Sequence, residues 1–210
     1  GGWVSLHGQV LEQPQYQVEP DVVLQVNEQA SDSRAERVSM LLHKPAGTAA
    51  SALCALVTPA SRSPLDASGT RELQRHFHGL QLAASLPAED SGIVVVSQDP
   101  RTLAHLQQQV SRIEQEFLVE VSGEHSLWDL ARVQRGLVDG TRPITGCRIS
   151  WQNEVRLRFA GKGLTPRILR TACVGAAMDV VSVRRLRIGR VALGPLAPGH
   201  WRYVGSDERF

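Results

Sequence analysis

The feature that most constrains this chain is the unbroken run Ile93-Val94-Val95-Val96. Four successive β-branched residues without inward-outward alternation suit a fully buried strand. Gly92 precedes the run, and a polar loop containing Glu89, Asp90 and Ser91 feeds it. Beyond the strand, Asp99 can cap a helix whose first position Pro100 can occupy. A polar loop running into a buried strand is a place where site residues often sit.

The stretch Ala84-Ser85-Leu86-Pro87-Ala88-Glu89-Asp90-Ser91-Gly92 also resembles the central motif of the RNA pseudouridine synthases, in the branch that modifies ribosomal RNA. That motif reads Gly-Arg-Leu-Asp, two variable residues, Thr-Ser-Gly, then an aliphatic strand. Its Arg falls on Ser85 and its Asp on Pro87. The resemblance implies an α+β fold: a curved, mostly antiparallel sheet with flanking helices and a central RNA cleft. It also implies cofactor-free and metal-free isomerisation of uridine to pseudouridine, in which the Asp carboxylate attacks the flipped-out nucleotide. Proline supplies no nucleophile.

Other stretches carry the same resemblance. The strand Val38–Leu42 runs into His43-Lys44-Pro45-Ala46-Gly47, similar to the family's Asn-Lys-Pro-x-Gly. Ile113–Val121 resembles Lys-x-Tyr-x-Val-x-Val, with Gln115 for the Lys and Phe117 for the Tyr. Phe117 can stack on a base but has no hydroxyl to relay a proton, and a core role on the strand's inward side fits it equally. Thr165–Cys173 resembles the family's Arg-rich helix, and Val181–Val204 resembles its closing strands. Residues 1–28 resemble the C-terminal part of an alpha-L type RNA-binding module. The expected organisation is therefore that partial module, a linker at 29–36, and a synthase-like domain at 37–205.

Local patterns add the remaining elements. Val4–Leu6, Val10-Leu11 and Val22–Val26 read as short strands around the turn His7-Gly8. Thr70–His78 reads as a short helix, and Arg101–Arg112 as a longer one with Leu103, Leu106 and Val110 inward. A helix is expected from Ser126, with Asp129 completing its cap, Leu127, Leu130 and Val133 buried, and Gly136 ending it. Strands follow at Cys147–Trp151 and Val155–Phe159. Thr165-Pro166 then starts a helix that buries Ile168, Leu169, Ala172, Cys173 and Ala176, with Arg167 and Arg170 projecting together. Asp66, in Leu65-Asp66-Ala67-Ser68-Gly69, reads as a turn residue.

Charge is segregated along the chain. Residues 1–141 hold 10 Lys and Arg against 17 Asp and Glu, whereas residues 142–202 hold 12 against 2. This predicts a basic face suited to RNA, the alternative being Arg-rich edge strands guarded against aggregation. Lys44, Arg142, Lys162, Arg167, Arg170, Arg185 and Arg187 are the candidate RNA contacts. Cys54, Cys147 and Cys173 fit neither a disulfide framework nor a zinc site, and no apolar run reaches membrane-spanning length. The expectation is a monomer in the cytoplasm with ribosomal RNA as partner and neither a cofactor nor a metal. Three functional readings stand: an RNA-binding protein with lost catalysis, an active synthase that uses Asp90 or Glu89 as a substitute carboxylate, and a protein–protein scaffold.

Overall fold

The computed structural model describes residues 2–13, 15–28, 30, 37–123 and 129–210. Near the start, β1 (Val4–Leu6), β2 (Gln9–Val10) and β3 (Gln25–Val26) form a small antiparallel sheet in the order β2-β1-β3. The expected strand over Val22–Val26 shortens to its last two residues, and Val23 is exposed. Most of the expected linker 29–36 lies outside the described residues.

The large sheet begins with β4 (Ser39–Lys44), β5 (Gln81–Ala84) and β6 (Ser91–Ser97). Helix α1 (Pro100–Gln109), β7 (Gln115–Ser122) and α2 (Asp129–Gly136) follow. A two-stranded ribbon, β8 (Val138–Asp139) with β9 (Arg142–Pro143), leads to β10 (Arg148–Asn153) and β11 (Arg156–Gly161). Helix α3 (Pro166–Gly175), β12 (Asp179–Ile188), β13 (Val191–Ala192) and β14 (Trp201–Tyr203) complete the chain. The strand order is β10-β11-β7-β12-β6-β4-β14, with β13 beside β12 and β5 beside β6. The pairings are antiparallel except β12 with β6, which is parallel. This is an α+β architecture built on one large, mostly antiparallel sheet.

The apolar run of β6 does not alternate because both faces of the sheet are covered. Val94 and Val96 face a core with Met40, Leu42, Phe117, Ile168 and Leu169, while Ile93 and Val95 face another with Leu41, Leu103, Leu106 and Ile188. All four residues of the run are fully buried. Each contributes roughly 1.5–3 kcal/mol by leaving water. Helix α1 is capped as its sequence predicts, with the Asp99 carboxylate accepting from the backbone N–H of Arg101 and Thr102. Thr165 likewise accepts from the N–H of Ile168 at the start of α3, and Ile168, Leu169, Ala172, Cys173 and Ala176 are buried.

Elsewhere the fold overrides local pattern. Thr70–His78 holds only a short 3-10 turn at Gln74–Phe77, tied by the buried ring of His76 to the Tyr203 hydroxyl at 2.8 Å. Ser126 and Leu127 lie outside the described residues, and the helix is described from Asp129. Val155 is exposed in a turn, so the inward row of β11 is Leu157 and Phe159. No helix among the described residues is long and apolar enough to cross a membrane.

Candidate functional site

The loop between β5 and β6 is held from beneath by Lys44, at the end of β4. This lysine is fully buried. Its Nζ donates to the carbonyls of Asp90 at 2.6 Å, Ala88 at 2.7 Å and Pro45 at 3.1 Å. The Gly47 N–H adds a bond to Ala88 O at 2.8 Å, and the Asp90 N–H closes a turn onto Pro87 O. A buried ammonium with three carbonyl acceptors has no donor left for phosphate. Lys44 is thus a clamp for the loop rather than a surface contact. Burial pushes its pKa down, opposed by the neighbouring Asp90 and Glu89.

On the loop itself, Pro87, Ala88 and Glu89 are exposed, while Asp90 turns inward and is fully buried. Its Oδ1 accepts from Nη2 of Arg170 on α3. Among the described residues, Asp90 Oδ2 and Arg170 Nε are buried without hydrogen-bond partners. The pair is therefore engaged through one arm only. Burial raises the pKa of Asp90, and Arg170 opposes that rise. Arg167 and Arg170 were expected to project together, but they diverge. Arg167 points to solvent, loosely facing Asp139 at 3.9 Å, and Arg170 reaches back to the loop. Three positions along a helix share a face only broadly, and the buried carboxylate draws one guanidinium in.

Gly92 fixes the join between β6 and β12. Its φ is +109°, and a Cβ there would lie 2.2 Å from the carbonyl oxygen of Arg185. No other residue fits this parallel contact. Arg185 itself is buried, and its guanidinium donates to Ile93 O, Ala84 O and Gln115 Oε1. Burial pushes its pKa down to about 9, so it remains a cation at neutral pH. It closes the junction between β5, β6 and β7, and its donors face inward rather than toward RNA.

A cavity of about 380 Å³ opens beside this junction, lined by Ala84, Ser85, Gln115, Phe117, Thr165 and Arg185 together with apolar residues of β5 and α1. The positions of the family's motif Arg, Lys and Tyr (Ser85, Gln115 and Phe117) thus converge on one space. Neither Pro87, Glu89 nor Asp90 lines it, and no carboxylate is among its described lining residues. Phe117 is fully buried in the core, so its ring backs the wall and offers no open stacking face. Two exposed cations neighbour lining residues in sequence. The Gly163 N–H donates to Ser111 O at 2.8 Å, joining the segment of Lys162 to that of Arg112, and Leu164 and Val110 of these segments line the cavity.

Folding offsets part of the charge segregation along the chain. Glutamates on β7 lie across from arginines of β11 and β12, and Glu114, just before β7, meets arginines of β10 and β12. Glu116 binds Arg158 at 2.7 Å and Arg187 at 3.3 Å, Glu120 binds Arg156 at 3.2 Å, and Glu114 receives Arg187 and Arg148. Arg187 is therefore occupied, as part of a cross-strand ion-pair ladder. Arg142 and Lys162 remain exposed and enter no ion pair among the described residues. Sequence reasoning missed the clamping roles of Lys44 and Arg185. No group of three or more His, Cys, Asp and Glu side chains among the described residues is placed to hold a metal.

No protein-family model matches the sequence, and no curated protein matches it. Solved structures do match by shape. A crystal structure of a pseudouridylate synthase superposes with a TM-score of 0.63 at 16% identity, covering 97% of this chain and 85% of that one. The archaeal box H/ACA sRNP Nop10-Cbf5 complex gives a TM-score of 0.49 at 15% identity, over 74% of this chain and 49% of that one. At these identities the likeness speaks to architecture. The chain has the pseudouridine synthase fold.

Proposed function

We propose that the protein binds RNA, with ribosomal RNA as the first candidate, as a member of the pseudouridine synthase family that no longer isomerises uridine. The observation that carries this reading is the cavity beside β5 and β6. The motif positions Ser85, Gln115 and Phe117 converge on it, yet no carboxylate is among its described lining residues. Loss of catalysis is favoured over a substitute nucleophile by the placement of both carboxylates. Asp90 is committed to Arg170 and Glu89 faces solvent. A displacement of about 1 Å already costs roughly 100-fold in rate.

RNA is favoured over a protein–protein scaffold by the exposed cations Arg112 and Lys162, on segments that line the cavity, and Arg142 on the ribbon. In this reading residues 1–28 are the end of an alpha-L type RNA-binding module and 37–205 the synthase-like domain, acting as a cytoplasmic monomer. The test is retention of ribosomal RNA fragments by the purified protein across a salt series. Salt-sensitive retention supports the reading, because phosphate contacts release counterions. Retention of protein partners without RNA, at any salt, contradicts it.

A further inference from the structure

At the opposite end of β4 from the Lys44 clamp, five residues or ~17 Å along the strand, lies a second cavity of about 430 Å³. It sits where the start of the chain, the turn-rich segment before β5 and the end of β14 meet. Trp3, Arg37, Thr70, Arg71, Arg75 and Ser206 are among its lining residues. Three arginines thus line one space. Nearby carboxylates have partners of their own: Asp66 with Arg62 at 2.9 Å, Glu72 with Arg62 at 3.7 Å, Glu208 with Arg202 at 2.7 Å, and Glu12 with the Gln74 N–H at 2.6 Å. Arg37 and Arg71 are exposed and enter no ion pair among the described residues.

Like charges gathered at a concave surface raise the local potential and favour an anion. The planar fork of arginine matches phosphate oxygens, and hydroxyls such as Thr70 and Ser206 can add donors. Trp3 is half-buried and brings an aromatic surface to the same space. Cations on a groove combined with an aromatic face suit a nucleic-acid strand with unstacked bases.

We infer that this pocket holds a backbone phosphate of single-stranded RNA, with a neighbouring base against Trp3. The inference rests on the RNA-binding reading for its ligand and adds a second contact point, separate from the cavity beside β5 and β6. It joins the start of the chain to the synthase-like domain as one binding surface.

The experiment measures binding of a short labelled oligouridylate over a salt series. It compares wild type with Arg37→Gln/Arg71→Gln and with Arg112→Gln/Lys162→Gln, each checked for an unchanged melting temperature. Losing the contacts to that phosphate lowers the slope of log affinity against log salt by about 0.7 and weakens binding roughly fivefold near 0.1 M salt. That loss in Arg37→Gln/Arg71→Gln is the expected result. If this variant binds as wild type does while Arg112→Gln/Lys162→Gln weakens, the pocket inference is overturned and the RNA reading stands. If wild type binds no oligouridylate, the pocket inference is overturned, and retention of ribosomal RNA fragments decides the RNA reading. Saturable binding of uridine 5′-monophosphate as tight as that of the oligomer identifies a free-nucleotide site and overturns the strand assignment.

Discussion

Replacing Arg170 by Met isolates what the buried Asp90 carboxylate does. In the folded protein Asp90 is fully buried, and Arg170, 28% exposed, is its charged partner. Removing one member of a buried ion pair costs ~3–5 kcal/mol, because the other charge stays in a poorly solvating interior. The partial exposure of Arg170 places this case near the lower end, about 3 kcal/mol. Asp90→Asn keeps an acceptor for Arg170 and should cost only about 1–2 kcal/mol. The double variant should cost less than the sum of the two, with a coupling of about 1–2 kcal/mol.

The pH dependence supplies a second signature. Burial raises the pKa of Asp90 in the folded state, and Arg170 opposes that shift. A carboxyl with a raised folded pKa contributes stability that is fully present below its unfolded pKa and lost as pH rises through the folded value. Arg170→Met removes the opposing influence and moves the folded pKa further up. The penalty of Arg170→Met should therefore be small in acid, where Asp90 is protonated, and complete at neutral pH. Urea denaturation of wild type and variant at intervals from about pH 4 to about pH 8 measures it. A penalty that stays constant over that range, or never exceeds ~1 kcal/mol, would refute the assignment of Asp90 to a buried structural pair.

Gly92→Ala should cost at least ~4 kcal/mol and abolish cooperative melting, since the new Cβ would overlap the Arg185 backbone; a soluble variant with native melting would contradict the β6–β12 contact. Phe117→Ala should lose ~3–5 kcal/mol, as expected for a fully buried core ring, and a loss below ~1 kcal/mol by urea titration would place the ring outside the core. A thiol reagent under native conditions should label half-buried Cys54 before buried Cys147 and Cys173, whose pKa values burial pushes up to about 11 and about 12. Mass spectrometry showing equal labelling of all three would contradict that burial.

What could be read from the chain, and what could not, follows from the range of the forces involved. The Asp99-Pro100 and Thr165-Pro166 helix starts and the buried β6 run were legible because a cap or an apolar run is specified by adjacent residues. The inward row of α3 was legible from its periodicity. Thr70–His78 was not, because Tyr203, distant in sequence, captures His76 and favours a single 3-10 turn. The basic C-terminal stretch misled in part for the same reason: several of its arginines find glutamates on β7, tens of residues earlier, once the strands pair. At the site, the positions to examine were visible in the motif frame. The inward turn of Asp90 and the clamping by Lys44 and Arg185 depend on three-dimensional contacts that no spacing encodes.

The most direct test of the central claim is quantification of pseudouridine in ribosomal RNA incubated with the purified protein, alongside Pro87→Asp, with RNA retention measured in the same samples. The account predicts salt-sensitive retention by wild type and no conversion above an RNA-only control. Conversion of a defined uridine by wild type would contradict it.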